Sequence, residues 1–499
     1  MKKLTLALAF SFMFLSGVAQ QVEMSYKDVK GLDNARSSGA YFLARHGGLT
    51  VVATDRGYNV KYDFGGGAVL LGLNDEGKAE KTLVVSKQKG SMLVAASAVG
   101  DTAYLVVSGA LKNAPGALHV MKANLATWTL CGEPAPLYER KDKATNNVDW
   151  KVATSPNGNA FAISVKEYSN SSRIAKAFGK EDAEYDALIV TDNRFATLWR
   201  RDDLAGWYNT FTIDNDEAVH ALLVAQSDKS TYFLFANHTS MNDETFVDSV
   251  GRTDVASCCL LNYVDGCFVA AGAIGEKRRG LQNLQYSAIF GLSYNTRTNR
   301  MTFNAQPLTE TEFAVMENVD IDLRRSNATE MQGLSTKEGV ATPFGGVLQL
   351  WSYMTTVVYS RAGADYIYDL HGSLMAAVDT GGHFVWRVPI RTHVRSANDQ
   401  SIIRQHITYH NGRTYVVQAE NSKIPATYDI SRHVSKIALM TGADATLAVY
   451  AIDDKGEVSK YTLPQEKLMF LNGRLQKIGD DWYVTMSKLK KTRIVRLKF

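Results

Sequence analysis

The stretch Leu447-Ala448-Val449-Tyr450-Ala451-Ile452-Asp453-Asp454-Lys455-Gly456-Glu457-Val458-Ser459-Lys460-Tyr461-Thr462-Leu463 holds an apolar run, a polar turn and a second strand-like run. Gly or Asn in such a turn supplies the positive φ that a tight hairpin needs. The same order of strand, Asp or Asn, short polar turn with Gly, and second strand recurs at Leu70 to Val85. It recurs again at Leu374 to Ile390, around Asp379-Thr380-Gly381-Gly382. Further hairpin signals stand at Asn74-Asp75-Glu76-Gly77, Asn157-Gly158, Asp265-Gly266, Asn411-Gly412 and Asn472-Gly473. Helical periodicity is scarce, whereas short β-branched and aromatic runs end repeatedly at Gly, Asn or Asp, so the chain reads as all-β.

Gly382 and Gly456 lie 456 − 382 = 74 residues apart, and Gly77 and Gly158 lie 158 − 77 = 81 apart. A propeller blade takes about 40 to 50 residues, so these spacings fit blades with long loops. A chain of 499 residues then accommodates a β-propeller of seven or eight blades. Tandem β-sandwiches are the alternative, but no Pro-, Gly- or Ser-rich linker marks a boundary, and a closed ring protects its edges. An outer-membrane barrel is disfavoured although the chain ends in Ile494-Val495-Arg496-Leu497-Lys498-Phe499. Barrel strands alternate apolar with polar positions, whereas Ala221 to Ala225 and Ser257 to Leu261 are apolar on both faces.

With 55 Lys+Arg against 51 Asp+Glu the formal net charge is +4, too weak to indicate a nucleic-acid partner. Apolar residues at 45% and charged residues at 21% are an ordinary globular mix. Proline is rare, with 9 residues, which leaves Gly, Asn and Asp to make the turns.

Lys2 and Lys3 precede an apolar run from Leu4 to Leu15, followed by Ser16-Gly17-Val18-Ala19. This is the form of a secretory signal peptide over residues 1–19, cleaved near Ala19. Residues 20–499 then form a single exported domain, periplasmic or extracellular. No later apolar run reaches the length of a spanning helix, so no transmembrane segment is expected in the mature chain. The four cysteines, Cys131, Cys258, Cys259 and Cys267, are too few for a disulfide framework. If Asp265-Gly266 forms a two-residue turn, Cys267 faces Val264 and not Cys259. Mostly buried thiols are favoured, with one bridge to Cys131 left open, and the spacing lacks the form of a zinc site.

The order of elements between Asp186 and Phe235 is distinctive: Asp186-Ala187-Leu188-Ile189-Val190, Phe195 to Trp199, then Phe211-Thr212-Ile213-Asp214-Asn215-Asp216-Glu217-Ala218-Val219-His220. Later come Gly345-Gly346-Val347-Leu348, Asp365-Tyr366-Ile367-Tyr368, Trp386-Arg387-Val388-Pro389-Ile390 and the Asp453 to Gly456 turn. From about Val148 onward this resembles a group of signal-peptide-bearing, propeller-like proteins of Gram-negative bacteria with no assigned activity. The resemblance implies a propeller and export, and it carries no functional residues over. Members of the group tend to have a Gln shortly after the segment matching Trp386 to Ile390, where this chain reads Arg391-Thr392-His393-Val394-Arg395.

The most unusual local composition is Arg387, Arg391, His393, Arg395 and Arg404, followed by His406 and His410, with Trp386 and Tyr409 alongside. Six of the ten histidines, His371, His383, His393, His406, His410 and His433, fall in this region. His406 and His410 share a strand face but lie about 13 Å apart, too far for one metal ion. Arg pairs bidentately with carboxylates and phosphates, so a cationic loop surface here would hold an acidic glycan, a phosphate-bearing polymer or an acidic protein. The competing reading is a solvated charged face.

Acidic candidates are Asp214, Asp216 and Glu217, then Asp320 and Asp322 on one face of a strand, and Asp453 with Asp454. Paired carboxylates serve glycoside cleavage only at a fixed separation, and most of these positions read as turns. No nucleophile elbow, zinc-protease helix or phosphate loop occurs, Gly65-Gly66-Gly67 lacking the Lys-Ser/Thr ending. Ser487 and Lys490 match Ser-x-x-Lys, but in a strand context. Neither a cofactor nor a metal is indicated. Ser169 to Glu184 and Gly275 to Asn283 read as long exposed insertions, the usual place for function on a rigid scaffold.

Three functions follow. The first is a non-catalytic protein- or glycan-binding module using Trp386, Arg387, Arg391, His393, Arg395, Arg404, His406 and Tyr409. The second is a carbohydrate-active hydrolase or lyase with acids converging in the central channel. The third is a structural component of a cell-envelope complex, which requires a broad apolar patch.

Overall fold

The fold was obtained as a computed structural model. It describes residues 22–499 except for 30–39, 56–66, 76–77, 89, 113, 115, 141–146, 169–182, 203–209, 277–284, 321–330, 333, 361–362, 398–404, 423, 435–436, 439–444, 464–469, 472–474 and 489–490. The described strands pair into eight sheets, antiparallel except that the short Ile437–Ala438 runs parallel to Phe384–Ala397. Apart from that strand and Glu23–Val29, each sheet is built from neighbouring strands of the chain, and successive sheets pack round a closed ring. This is an eight-bladed β-propeller, and the tandem-sandwich alternative is set aside. Blade 1 spans Ala40 to Ser86, blade 2 Met92 to Tyr138, blade 3 Asn147 to Asp202 and blade 4 Thr210 to Val250. Blade 5 spans Val255 to Pro307, blade 6 Leu334 to Ala397, blade 7 Gln405 to Thr462 and blade 8 Phe470 to Lys498.

Blade 8 is completed by the N-terminal strand Glu23–Val29, which pairs with Lys491–Lys498 from Glu23↔Lys498 to Val29↔Thr492. The two ends of the chain thereby close the ring. Each blade is covered on both faces by its neighbours, which is why runs such as Ala221 to Ala225 do not alternate.

One apolar cluster fills each of the eight gaps between blades. Leu105 and Leu70 meet between blades 1 and 2, and Ile163 and Leu118 between blades 2 and 3. Val347, Met375 and Trp386 of blade 6 meet Val416 and Tyr450 of blade 7. Tyr415, stacked on Phe499 at 4.1 Å between centroids, joins blades 7 and 8.

Because strands alternate in direction, the turns joining first to second and third to fourth strands lie on one face of the ring. Those joining second to third strands, and one blade to the next, lie on the other. The first face is made of short, tight turns. Gly47-Gly48 (φ 55° and 79°), Asp265-Gly266 (52° and 79°) and Asn411-Gly412 (48° and 75°) each hold positive φ at both central residues, the primed turn that matches strand twist. Cys267 consequently faces Val264.

The weak sequence repeat is the turn between third and fourth strands. Asn74, Asn124, Asp192, Thr239, Asn295, Asp379 and Asp453 stand at this position in blades 1 to 7, each accepting backbone amides two to four residues ahead. In blade 8 the fourth strand is the N-terminal one, so no such turn exists. Several of these turns lean on the preceding blade. Trp128 covers Gly72, Thr380 O accepts from Ser293 Oγ at 2.5 Å, and Gly456 packs on Trp386.

The opposite face carries the long connections, from Tyr168 to Ala183 in blade 3, Glu276 to Gln285 in blade 5 and Asn421 to Ala445 in blade 7. The insertions expected at Ser169 to Glu184 and Gly275 to Asn283 therefore leave and return on this face, although most of their residues lie outside the described ones. In blade 6 the strands Gly345–Ser360 and Gly363–Asp379 pair along their whole length, from Gly345↔Asp379 to Ser360↔Gly363. The first strand of that blade reaches only Ser352. A ribbon of residues 353–370 therefore projects beyond the blade, for about 25 Å at the usual rise per residue.

All four cysteines are free thiols, so no bridge to Cys131 forms. Asp320 does not lie in a strand as expected; it sits in the loop after a short helix, and Asp322 is outside the described residues. That helix, α1 (Glu310–Met316), begins with a capping box: Glu312 N donates to Thr309 Oγ1 and Thr309 N to Glu312 Oε2.

Candidate functional site

The nominated residues lie on the fourth strand of blade 6 (Phe384–Ala397) and the first strand of blade 7 (Gln405–His410). Strand alternation sends them to different places. Trp386 is buried in the gap between blades 6 and 7. Arg387 forks onto Glu312, its Nε 2.7 Å from Oε1, and also donates to Pro307 O and Gln306 Oε1. Glu312 thus serves both the capping box and this ion pair.

Arg391 is 3% exposed. Its three nitrogens donate to Ile430 O (2.8 Å), Ala314 O (3.2 Å) and Val319 O (2.7 Å), which belong to the 424–434 segment, to α1 and to the loop directly after α1. Burial pulls its guanidinium below the usual arginine range, partly offset by Asp320 and Asp429. A β-bulge lies beside it, where Leu370↔Val394 gives way to Gly372↔Arg391. Gly372 is required there, since a Cβ would come 2.5 Å from Val315 O at the end of α1.

His371 and His393, the residues the bulge displaces, stack with ring centroids 5.1 Å apart, both half-buried. His393 Nδ1 is 3.0 Å from Asn318 Nδ2. Asn318, in turn, makes two hydrogen bonds with the backbone of Val434. Asp320 accepts from His433 N at 2.5 Å and faces its ring at 3.0 Å, contacts that hold its carboxyl below the usual range. Arg395 forks onto buried Asp369, with Nε 2.7 Å from Oδ1, and keeps 38% of its side chain exposed. Its hydrogen bond to Asp369 raises its pKa above the usual arginine value.

His406 is buried, Tyr409 is half-buried against Phe344, and Arg404 lies outside the described residues. The seven described residues thus form no single open patch. Arg387 and Arg391 work inside the protein, holding α1 and the 424–434 segment to blade 6. Among the described members of the nominated set, His393 and Arg395 reach the rim of the long-connection face, with His371 beside them. Sequence reasoning missed Glu312, Asn318 and Asp369, their partners; the Thr309-x-x-Glu312 spacing was the one available signal.

Beside this clasp lies a second buried polar group. Gln349, Gln405, Gln418 and Ser373 are hydrogen-bonded across the gap between blades 6 and 7, and Gln418 Nε2 donates to Arg391 O.

The described acidic candidates lie in turns and loops. Asp214 accepts the amides of Asp216 and Ala218 through Oδ1, and its Oδ2 lies 3.1 Å from His220 Nε2. His220 also meets Asn237 Oδ1 at 2.8 Å and stacks on Tyr263. Asp453 caps its own turn. No group of three His, Cys, Asp or Glu is placed to hold a metal ion among the described residues. Among the described residues, the large exposed apolar side chains of the blades are spread over four of them: Met92 and Leu130 in blade 2, Leu198 in blade 3, Tyr232, Met241 and Val247 in blade 4, and Val385 in blade 6.

No family model matches the sequence, and no curated protein matches it. Among solved structures, the chain is similar to the Dos1 propeller at 10% identity, covering 92% of this chain and 94% of that one with a TM-score of 0.41. It is similar to the polysaccharide lyase Uly1 at 10% identity, with 81% and 89% covered and a TM-score of 0.37. It is also similar to an acylaminoacyl peptidase of Pyrococcus horikoshii at 9% identity, with 89% and 58% covered and a TM-score of 0.34. At that level of superposition the likenesses say nothing of activity, and the assignment to the propeller fold rests on the strand pairing.

Proposed function

We propose that this protein is an exported, non-catalytic propeller that binds an acidic glycan on its long-connection face, at the rim formed by His371, His393 and Arg395. The observation that carries this reading is the division between the two faces. One is closed by short turns whose hydrogen bonds are satisfied within the protein; the other carries the long connections and ends, at blade 6, in partly exposed aromatic and cationic side chains. Stacked imidazole rings offer a flat surface to a sugar ring, and a guanidinium held in place by Asp369 is pre-organised for a carboxylate or sulfate. Export is supported by the Lys2-Lys3 and Ser16 to Ala19 pattern, with the mature chain beginning near Gln20.

The test is binding of the purified mature chain to immobilised polyuronates and sulfated polysaccharides at low and high salt. His371→Ala with His393→Ala, and separately Arg395→Ala, should each lower binding at least tenfold. Lys455→Ala on the opposite face should leave it unchanged. Equal binding by all variants removes this site, and release of cleaved sugar overturns the non-catalytic reading in favour of a hydrolase or lyase.

A further inference from the structure

Lys460 stands on the fourth strand of blade 7 (Val458–Thr462) and Glu420 on the second (Arg413–Asn421). The third strand (Ala445–Ile452) runs between them, with Tyr450 paired to Lys460 and Thr446 paired to Glu420. Lys460 therefore crosses a whole strand to reach its partner. Its Nζ lies 5.5 Å from the centroid of the Tyr450 ring and 2.6 Å from Glu420 Oε1, and both side chains are fully buried. The Tyr450 hydroxyl donates to the other carboxylate oxygen, Oε2, at 2.6 Å.

An amine and a carboxyl are the two halves of an amide. In water they stay apart as hydrated ions, but a buried pair has lost that hydration, and burial favours the uncharged form of the Glu420 carboxyl against the pull of Lys460. With Oε1 at 2.6 Å, the carboxyl carbon one bond further lies at most about 3.8 Å from Nζ, close to the about 3–3.5 Å of a near-attack arrangement.

We propose that Lys460 and Glu420 condense after folding into a side-chain amide that ties the second strand of blade 7 to the fourth. Nζ attacks the carboxyl carbon; the Nζ–Cδ bond forms and the Cδ–Oε1 bond breaks. Of the ammonium's protons, one stays on the amide nitrogen and the others leave with Oε1 as water, so the step needs no oxidant, reductant or co-reactant. Tyr450 donates to Oε2, the oxygen that stays, and stabilises the negative charge that gathers there as the carbon becomes tetrahedral. Burial and the Glu420 charge hold the Tyr450 hydroxyl well above the usual tyrosine range, so it keeps the proton this role requires. The product is a neutral amide where two charges were buried.

The tie falls where the blade gains most from it. The connection Asn421 to Ala445 is one of the long ones, and a bond from Glu420 to Lys460 closes a loop of 460 − 420 = 40 residues around it. Cross-links restrict the unfolded chain more as the closed loop lengthens. All four cysteines are free thiols, so no disulfide supplies such a tie. Only the folded chain brings the two residues together; freshly refolded protein therefore carries the ion pair and gains the amide with time.

Intact mass spectrometry of the refolded mature chain should show a species one water lighter accumulating on incubation. Its proteolytic digest should contain a branched peptide joining the segments of Glu420 and Lys460. Lys460→Arg keeps the positive charge but offers a guanidinium, which is not acylated, and should keep its full mass. Tyr450→Phe keeps the pair and removes the donor to Oε2, and should slow the loss of water about a hundredfold. A wild-type chain that keeps its full mass overturns the proposal, as does equal water loss in Lys460→Arg or water loss without the branched peptide. Closure at an unchanged rate in Tyr450→Phe overturns the part given to Tyr450. The reaction involves no residue of the blade 6 rim, so its failure would leave the glycan reading untouched, and the converse holds.

Discussion

Lys460 Nζ lies 2.6 Å from Glu420 Oε1, with the two side chains 1% and 0% exposed. Tyr450 OH donates to the other carboxylate oxygen at 2.6 Å, and Lys460 also donates to Pro425 O at 2.7 Å. Burial pushes the Glu420 carboxyl above the usual range, against the pull of Lys460. Removing one member of a buried pair strands the other charge, at a cost of about 3–5 kcal/mol. Lys460→Met should therefore lower the unfolding free energy by that order, measured by denaturant titration. Lys460→Met with Glu420→Gln should recover most of it; no recovery would mean that the pair is not coupled.

Asp214 should contribute acid sensitivity. Burial raises its pKa, but hydrogen bonds from His220 and the amides of Ala218 and Asp216 outweigh burial and leave it below 3.8. A depressed folded-state pKa gives stability that is present above the unfolded value and lost as pH falls through the folded one. The melting temperature of the wild type should fall below about pH 4 more steeply than that of Asp214→Asn. The Asn keeps the turn and discards the charge. Parallel curves would show that the carboxylate contributes nothing.

Arg391→Met should loosen two distant segments together. The substitution leaves Val319 O and Ile430 O without the donors Arg391 gives them, while Ala314 O keeps the Val319 amide, and unsatisfied buried groups cost about 1–3 kcal/mol each before relaxation. A loss of about 3 kcal/mol is expected. Amide exchange should rise in 314–319 and 428–434 jointly, while blades 2 to 4 keep their protection.

At the bulge, Gly372→Ala should cost about 1–3 kcal/mol, as overpacking does, because the new methyl meets Val315 O and the Met316 backbone. The same substitution should lift α1 from blade 6 and weaken the Arg387 to Glu312 contact. A crystal structure with α1 unmoved would count against that account.

The turns were legible because their chemistry is local. Asp265-Gly266 and Asn411-Gly412 adopt the primed turns their residues demand, and the Asp379 and Asp453 repeats are the caps of equivalent turns. Cys267 opposite Val264 followed from that turn alone. The destination of Arg391 was not legible, because its partners lie 39, 77 and 72 residues away in sequence. A run of Arg and His looks alike whether it faces water or carbonyls. The blade count was open between seven and eight because the connections of blades 3, 5 and 7 stretch an otherwise short repeat. Asp320 was misplaced for a related reason: the helix that Thr309 to Glu312 starts ends at Met316, only four residues before it, and that helix ends the strand pattern.

The closure of blade 8 makes completeness of synthesis a condition of the fold. Glu23 and Lys498 are partners 498 − 23 = 475 residues apart, so the first strand to emerge during synthesis is among the last to find its place. Until the final residues arrive, the opening strand has nothing to pair with and blades 1 and 8 have no shared wall. A chain cut short anywhere before its last strand is left as an open arc with two unprotected ends, which proteases and quality control can distinguish from a finished ring. The ring thus closes only once both of these strands have been made.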